Sequence, residues 1–250
     1  LGTALQDLGR SGEALEHFQR AIDIQPDYAP AYNNMGVTER ATGAVDRAIA
    51  SYRRALSFKG DYPDAHYNLA NALLAQNRVE EATEHFNIAL QSIPDSAGVR
   101  NNLGIALAAQ GKQQDAIASF QQAVAADPQS SMAHRNLGDA LAEAGRTAEA
   151  TTELQRAIQL APSDPVAHYS LGVLLLEHGR HEEAAAEFRV TLQLNPQSVE
   201  AHNNLGIALG SQGKLDDAID QFRRALAIDP SFADAQRNLQ IAMSARTEPR

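Results

Sequence analysis

Apolar residues recur along this chain in pairs of helical stripes that breaker residues separate. Within residues 97–130, one stripe precedes Gly111 and a second precedes Pro128, and in both the apolar positions lie three or four residues apart, as on one face of an α-helix. The first stripe is Val99, Leu103, Ala106 and Leu107, and the second is Ala116, Ile117, Phe120, Ala123 and Val124. Because glycine and proline end helices, this pattern predicts two α-helices joined by a tight turn.

The two-helix unit repeats every 34 residues, a period that indicates a repeat architecture. Each unit has a Leu-Gly or Met-Gly pair (once Leu69-Ala70), then a small alanine, then a large residue, then a closing proline (once Gly60). The alanines are Ala14, Ala48, Ala82, Ala116, Ala150, Ala184 and Ala218; the large residues are Phe18, Tyr52, Phe86, Phe120, Leu154, Phe188 and Phe222. We predict one array over residues 1–245, with units 1–28 (lacking its first six residues), 29–62, 63–96, 97–130, 131–164, 165–198 and 199–232, a capping helix at 233–245 and a frayed tail at 246–250.

This combination of period, Leu-Gly pair, turn glycine, small alanine and terminal proline resembles the tetratricopeptide repeat family, and the resemblance covers residues 1 to about 245. It implies an all-α fold in which antiparallel helix pairs form a right-handed superhelical solenoid. It also implies that the first helices line a concave groove that binds peptides or proteins. The third unit departs from the pattern at Gly60, Ala70 and Asn77, and Glu39 occupies a normally apolar position just before it. We therefore expect this junction to be the softest part of the array.

Composition narrows the choice of partner. The chain has 21 Lys and Arg against 31 Asp and Glu, a net charge of −10, which disfavours nucleic acid and anionic membranes. It has no cysteine, which excludes disulfides, thiolate metal sites and a cysteine nucleophile. No apolar stretch is long enough to cross a membrane. The lack of cysteine fits both the cytoplasm and the bacterial periplasm, of which we favour the first.

A second set of residues recurs at the 34-residue period, three residues before each Leu-Gly pair, where the family usually has an aromatic residue. Its members are Tyr32, His66, Arg100, His134, His168 and His202. The histidines suggest a metal site or a pH switch, but an imidazole also serves as a flat filler with a polar tip. Neighbouring members would lie roughly 8–10 Å apart, too far to share one ion. We therefore interpret this slot as structural and predict no metal and no cofactor.

Asparagine occupies the position before the Leu-Gly pair in all full units but one. The rungs of this asparagine ladder are Asn34, Asn68, Asn102, Asn136, Asn204 and Asn238, with Ser170 in the remaining place. A side-chain amide offers two donors and one acceptor oxygen, so it can grip a peptide unit regardless of side chain. The ladder resembles that in the repeat domains of O-linked N-acetylglucosamine transferases, where such rungs hold the substrate backbone. The alternative is a polar residue tolerated on a half-exposed helix face.

Other side chains are predicted to share this face with the ladder. Those assigned to the peptide site are Tyr67, Asn101, Ile105, Arg135, Asp139, Tyr169, Val173, Leu176, Asn203 and Ile207, and Leu74, Met132, Glu143 and Glu177 are expected beside them. An apolar patch on a surface marks a binding site, although some of these residues could instead pack between repeats. The ladder favours an extended ligand, whereas the apolar side chains would also accept a helix.

These observations predict a non-catalytic scaffold that binds a protein or peptide segment. No nucleophile motif, phosphate loop or pocketed carboxylate pair is present in the sequence, so we do not predict an enzyme. Two alternatives stay open. The chain could be the substrate-recruiting part of a larger enzyme, such as a glycosyltransferase, or a structural array that associates end to end with its own copies.

Overall fold

A computed structural model of the protein describes residues 1–247, which form fifteen α-helices and no β-strand. The chain divides into two compact units, Leu1–Pro128 and Gln129–Arg250, and the predicted tail residues 248–250 lie outside the described part. The helices of the first unit are α1 (Gly2–Asp7), α2 (Ser11–Ile24), α3 (Ala29–Ala41), α4 (Val45–Phe58), α5 (Pro63–Ala75), α6 (Val79–Ser92), α7 (Ala97–Ala109) and α8 (Gln113–Ala126). Those of the second are α9 (Ser131–Glu143), α10 (Thr147–Leu160), α11 (Pro165–Glu177), α12 (His181–Leu194), α13 (Val199–Ser211), α14 (Leu215–Ile228) and α15 (Ala233–Thr247).

Consecutive helices pack in pairs, as the all-α prediction requires. The odd-numbered first helices from α3 onward begin at residues 29, 63, 97, 131, 165, 199 and 233, the starts of the predicted units. Polar side chains set several of these starts, because a side-chain oxygen can accept a hydrogen bond from an otherwise unpaired N–H group of the first turn. Ser96, Ser130, Asp164 and Ser198 make such bonds.

The turns inside the pairs require the left-handed backbone region. Six turn glycines have φ between 72° and 81°, where a side chain is disfavoured. Asn77 takes the same place in the third repeat with φ 59°. Asparagine is one of the few residues that tolerates this conformation, so the turn keeps its shape there without glycine.

Close approach of the two helices in a pair explains the Leu-Gly motif. A Cβ atom built on Gly172 would lie 2.7 Å from Cε1 of Phe188, a distance at which atoms clash. The same conflict occurs at five other first-helix glycines. Ala70 is the exception, and both it and the Phe86 ring that it faces are fully buried. The third repeat therefore accommodates a methyl group where the others leave none.

The last helix ends the second unit with a mixed surface. Ala235 and Ala242 of α15 are buried against the preceding pair, whereas Ile241 is 60% exposed and Met243 is also exposed. The helix runs to Thr247, two residues beyond the predicted end of the cap. Its outer face is less polar than a purely solvating cap, and end-to-end association stays a prediction.

Candidate functional site

The asparagine ladder lies on the first helices, and within each unit several of these helices contact one another. In the first unit, α5 contacts both α3 and α7, and in the second unit α11 contacts α9 and α13, which in turn contacts α15. The predicted rungs are half-buried on this surface, which we call the first-helix face. Half-burial leaves part of each amide within reach of a ligand while neighbouring helices fix its orientation.

Rungs of the first unit are bonded to the preceding repeat. Asn68 Nδ2 donates to Oδ1 of Asn33 at 3.0 Å. Asn102 Nδ2 donates to Oδ1 of Asn71 at 2.8 Å and to the Tyr67 hydroxyl at 3.2 Å. Both N–H groups of Asn102 are thereby engaged within the protein. This rung can offer a ligand an oxygen lone pair but no free donor.

Rungs of the second unit repeat this network with one member missing. Asn204 Nδ2 donates to the Tyr169 hydroxyl at 3.1 Å, as Asn102 does to Tyr67. Val173 stands where the first unit has Asn71, so Asn204 keeps one N–H group that no described neighbour accepts. Asn238 Nδ2 donates to Oδ1 of Asn203 at 2.9 Å. Asn204 and Asn238, like Asn68, are each anchored through Nδ2 to one residue of the preceding repeat, which suits them to hold a peptide group through both a donor and an acceptor.

Two residues predicted to touch a ligand instead support the rungs. Asn101 and Asn203 are each only 5% exposed, and their amides donate to the oxygen atoms of Asn102 and Asn204, both at 3.2 Å. The supporting residues Asn33 and Asn71 did not emerge from the sequence. Asn33 could have been found from its position, because it directly precedes a rung, as Asn101 and Asn203 do.

The apolar residues predicted for the site differ in exposure. Tyr67 and Tyr169 are half-buried and lean on Phe86 and Phe188, with ring centroids 6.1 and 5.9 Å apart. Ile105 and Met132 are exposed. Leu74, Val173, Leu176 and Ile207 are half-buried. The polar rungs Asn34 and Asn136 are half-buried as well. The face thus offers isolated apolar contacts between polar rungs.

A pocket of about 360 Å³ opens between α9 and α11 where Ser170 replaces the asparagine rung. Its carboxylates are Asp139, Glu143 and Glu177, and its apolar wall includes Tyr169 and Val173, with Leu174 behind them. Burial raises the pKa of Asp139, while a hydrogen bond with Ser170 and the charge of Arg135 lower it in part. The pocket has an electronegative rim.

Arg135 is bound to a carboxylate outside the pocket. Its Nη1 lies 3.1 Å from Oδ2 of Asp164, and both side chains are largely shielded from solvent. This ion pair holds Arg135 at the start of the α11 region, so the predicted contact residue is committed to a neighbour.

The histidine slot has a different task, because its polar tips point to the loop between repeats. His66, His168 and His202 direct Nε2 at the carbonyl oxygen six residues earlier. Tyr32 and Arg100 reach the equivalent carbonyls through Oη and Nε. Among the described residues, no three His, Asp or Glu side chains are grouped closely enough to hold a metal ion. These five side chains thus hydrogen-bond their first helices to the loops that precede them.

Within residues 1–247, no helix is both long enough and apolar enough to span a bilayer. The sequence also matches family models along most of its length. Models of the tetratricopeptide repeat match residues 61–129 and, in three overlapping stretches, 101–165, 154–199 and 169–233, and a TPR repeat model matches 2–39 and 36–77. The chain belongs to the tetratricopeptide repeat family. The prediction of family and fold class is therefore confirmed.

Solved structures of tetratricopeptide repeat proteins resemble this one in fold. A chain of the APC/C hetero-tetramer Cut9-Hcn1 aligns with a TM-score of 0.79 and 15% identity over 97% of this chain, which spans only 48% of that one. PilF of Pseudomonas aeruginosa aligns with a TM-score of 0.75 and 21% identity, over 88% of this chain and 97% of its own. YrrB, described as a TPR protein with an unusual peptide-binding site, aligns with a TM-score of 0.51 and 21% identity, over 90% of this chain and 99% of its own. No curated protein matches the chain.

Proposed function

We propose that this tetratricopeptide repeat protein is a non-catalytic scaffold that binds an extended segment of a partner protein along its first-helix face. The observation that carries the proposal is the fixed orientation of Asn204 and Asn238, whose amides are each anchored through one N–H group to the preceding repeat. The rest of each amide can pair with a peptide group. A pre-oriented amide loses little entropy on binding, which favours affinity.

Side chains beside the rungs suggest what kind of segment binds. The pocket formed by Asp139, Glu143, Ser170 and Glu177, with its Tyr169 wall, would suit a Lys or Arg side chain, because a long aliphatic stem can pack on the wall while the cation meets the carboxylates. The net charge of −10 would also steer a basic segment toward the protein. YrrB, which shares this fold, is described as having a peptide-binding site, and we propose a comparable role for this face.

The test is a selection of displayed unstructured peptides on the wild-type protein, followed by binding measurements on the enriched peptides by fluorescence polarisation. We expect the enriched peptides to carry Lys or Arg and to bind with micromolar affinity. The double variant Asn204→Ala, Asn238→Ala should weaken binding by about tenfold, since each hydrogen bond contributes about 0.5–1.5 kcal/mol.

The matched control is the double variant Gln159→Ala, Gln193→Ala, which removes two exposed amides from second helices α10 and α12. It should bind the same peptides as the wild type does. Equal loss in both double variants, or peptides that bind the Asn204→Ala, Asn238→Ala protein unchanged, would contradict binding at the ladder. Enrichment of acidic peptides would contradict the role of the pocket.

A further inference from the structure

The inner nitrogen of the histidine slot meets a different partner in different repeats. In the sixth repeat, residues 165–198, Nδ1 of His168 lies 2.6 Å from Oε2 of Glu187. In the third repeat, residues 63–96, Nδ1 of His66 lies 2.9 Å from Nδ1 of His85. Both partners follow the slot residue by nineteen positions and lie on the second helix of the pair. One repeat thus pairs an imidazole with a carboxylate, and the other pairs it with a second imidazole.

Both ring nitrogens of His168 face oxygen atoms. Nε2 points to the carbonyl of Pro162 at 3.1 Å and Nδ1 points to the Glu187 carboxylate. A carbonyl and a carboxylate can only accept hydrogen bonds, so both bonds form when each nitrogen carries a proton. The geometry of the sixth repeat is thus compatible with a proton on each ring nitrogen of His168.

The pair in the third repeat has the opposite requirement. Nε2 of His66 donates to the carbonyl of Gly60 at 2.9 Å, which leaves Nδ1 of the neutral ring as an acceptor for Nδ1–H of His85. The contact needs exactly one proton between the two Nδ1 atoms. When both rings are imidazolium ions, two N–H groups and two positive charges face each other at 2.9 Å, and the contact cannot persist.

Groups around the pair add to this cost. Burial lowers the pKa of His85, followed by the charges of His66 and of Arg53, while Glu81 raises it. Arg53 reaches from α4, and its Nη2 lies 3.0 Å from Oε2 of Glu81, so the nearby carboxylate is already shared with a cation.

The slot residues of the neighbouring first helices carry no negative charge. From α7, the slot residue Arg100 directs its guanidinium at the carbonyl of Pro94 and at the side chain of Gln122. From α3, the slot residue is the phenol of Tyr32, bonded to the carbonyl of Pro26. Apart from Glu81, whose carboxylate also contacts Arg53, the groups named around the imidazole pair are cations or neutral.

We propose that the His66–His85 contact is an acid-sensitive latch that opens the third repeat on acidification, while the His168–Glu187 contact keeps the sixth repeat closed. The first helix of the third repeat carries Tyr67 and Asn68, which lie on the first-helix face. Opening of the latch would disorder that part of the face first. The contact therefore gives the third repeat a loss of order on acidification that the sixth repeat does not share.

The direction of the effect follows from proton linkage. In the unfolded segment His85 takes up a proton near about pH 6.5, whereas burial and nearby positive charge lower its pKa in the closed repeat. The stability from the closed contact is therefore present above about pH 6.5 and is lost as pH falls below it. We expect the hydrogen-exchange protection of residues 63–96, corrected for intrinsic exchange rates, to fall by about tenfold between pH 7.5 and 5.5. The protection of residues 165–198 should stay constant or rise.

Two substitutions exchange the chemistry of these repeats. His85→Gln reproduces the Gln221 partner of His202 and should remove the pH-dependent loss from residues 63–96, with His85→Glu as the second variant should the first fold poorly at pH 7.5. Glu187→His should create the loss in residues 165–198. The latch is refuted when wild-type residues 63–96 lose no more protection than residues 165–198, when His85→Gln keeps the full loss, or when Glu187→His gains none.

Discussion

The third and sixth repeats, 102 positions apart, place the same residue types on the same framework and yet differ at three structural positions. Gly60, Ala70 and Asn77, in or just before the third repeat, correspond to Pro162, Gly172 and Gly179, in or just before the sixth. Despite this, Phe86 and Phe188 are both fully buried. Their contacts with the preceding tyrosine are nearly identical, at 6.1 and 5.9 Å between ring centroids.

The comparison shows which positions determine the geometry of a pair and which adapt to it. The large residue on the second helix is the constant, and the small residue opposite it can gain a methyl group when the helices adjust. Around Phe86, buried residues from Ala48 to Ala106 form one continuous hydrophobic cluster, so the irregular third repeat lies within a broad core. The three departures from the repeat pattern, at Gly60, Ala70 and Asn77, have thus left the packing of that core intact.

The largest expected effect comes from removing the central ring. Phe86→Ala and Phe188→Ala should each reduce the local free energy of opening by about 3–5 kcal/mol, because each deletes a fully buried ring and leaves a cavity. Hydrogen exchange read repeat by repeat is the appropriate measurement, since repeat arrays need not unfold in one step. For Phe86→Ala, we expect the loss to extend to residues 29–62, which share its hydrophobic cluster.

Phe86→Leu and Phe188→Leu are the controls, because a large apolar side chain keeps most of the packing. Each should cost clearly less than its alanine counterpart. A loss below 1 kcal/mol in either alanine variant would show that the ring is not the constant element of that pair.

A smaller effect should follow from exchanging the small residue. Gly172→Ala places a Cβ atom 2.7 Å from Cε1 of Phe188, and such overpacking costs about 1–3 kcal/mol. Ala70→Gly removes a buried methyl and loosens a helix interior, which costs about 1 kcal/mol. Chemical denaturation of each variant beside the wild type, together with repeat-level hydrogen exchange, measures both.

These two substitutions test whether the third repeat is specifically adjusted to the methyl group of Ala70, or whether the sixth repeat would also accept one. If Gly172→Ala were as stable as the wild type, the sixth repeat could adapt as the third has done, and the distinction between the repeats would disappear. If Ala70→Gly stabilised the third repeat, Ala70 would itself be a source of strain.

The fold could be predicted because its signals repeat. Seven copies of the same apolar spacing and the same turn residues define the helix pairs, and a single irregular copy, such as the one containing Ala70 and Asn77, does not obscure the others. The position of the ladder followed from the same register. That the rungs contact a ligand stays a prediction.

The polar network of the site could not be predicted, because its partners lie about thirty positions apart and depend on side-chain reach. Asn102 bonds to Asn71 and Asn238 bonds to Asn203, pairs separated by 31 and 35 residues that no local pattern connects. The His66–His85 contact could not be predicted from the sequence for the same reason, since only the packed helix pair brings residues nineteen positions apart into contact.

The smallest expected effect concerns the turn. Asn77 has φ 59° and Gly179 has φ 72°, so both lie in the left-handed region that glycine adopts with least strain. Asn77→Gly should stabilise the third repeat by about 0.5 kcal/mol, and Gly179→Asn should destabilise the sixth by a similar amount. Repeat-level hydrogen exchange at pH 7.5, above the range in which the histidine contact is expected to open, provides the measurement.

Together with wild-type protection, this reciprocal pair tests the expectation that the junction at residues 63–96 is the softest part of the array. If the expectation holds, wild-type protection is lowest there, and Asn77→Gly brings it closer to that of residues 165–198. Uniform protection along the wild-type chain would contradict it, because the broad core around Phe86 would then outweigh the irregular turn. Lowest protection in the third repeat with no gain from Asn77→Gly would instead locate the weakness at Gly60, Ala70 or the buried Glu39, whose carboxylate accepts a hydrogen bond from Ser51 at 2.7 Å.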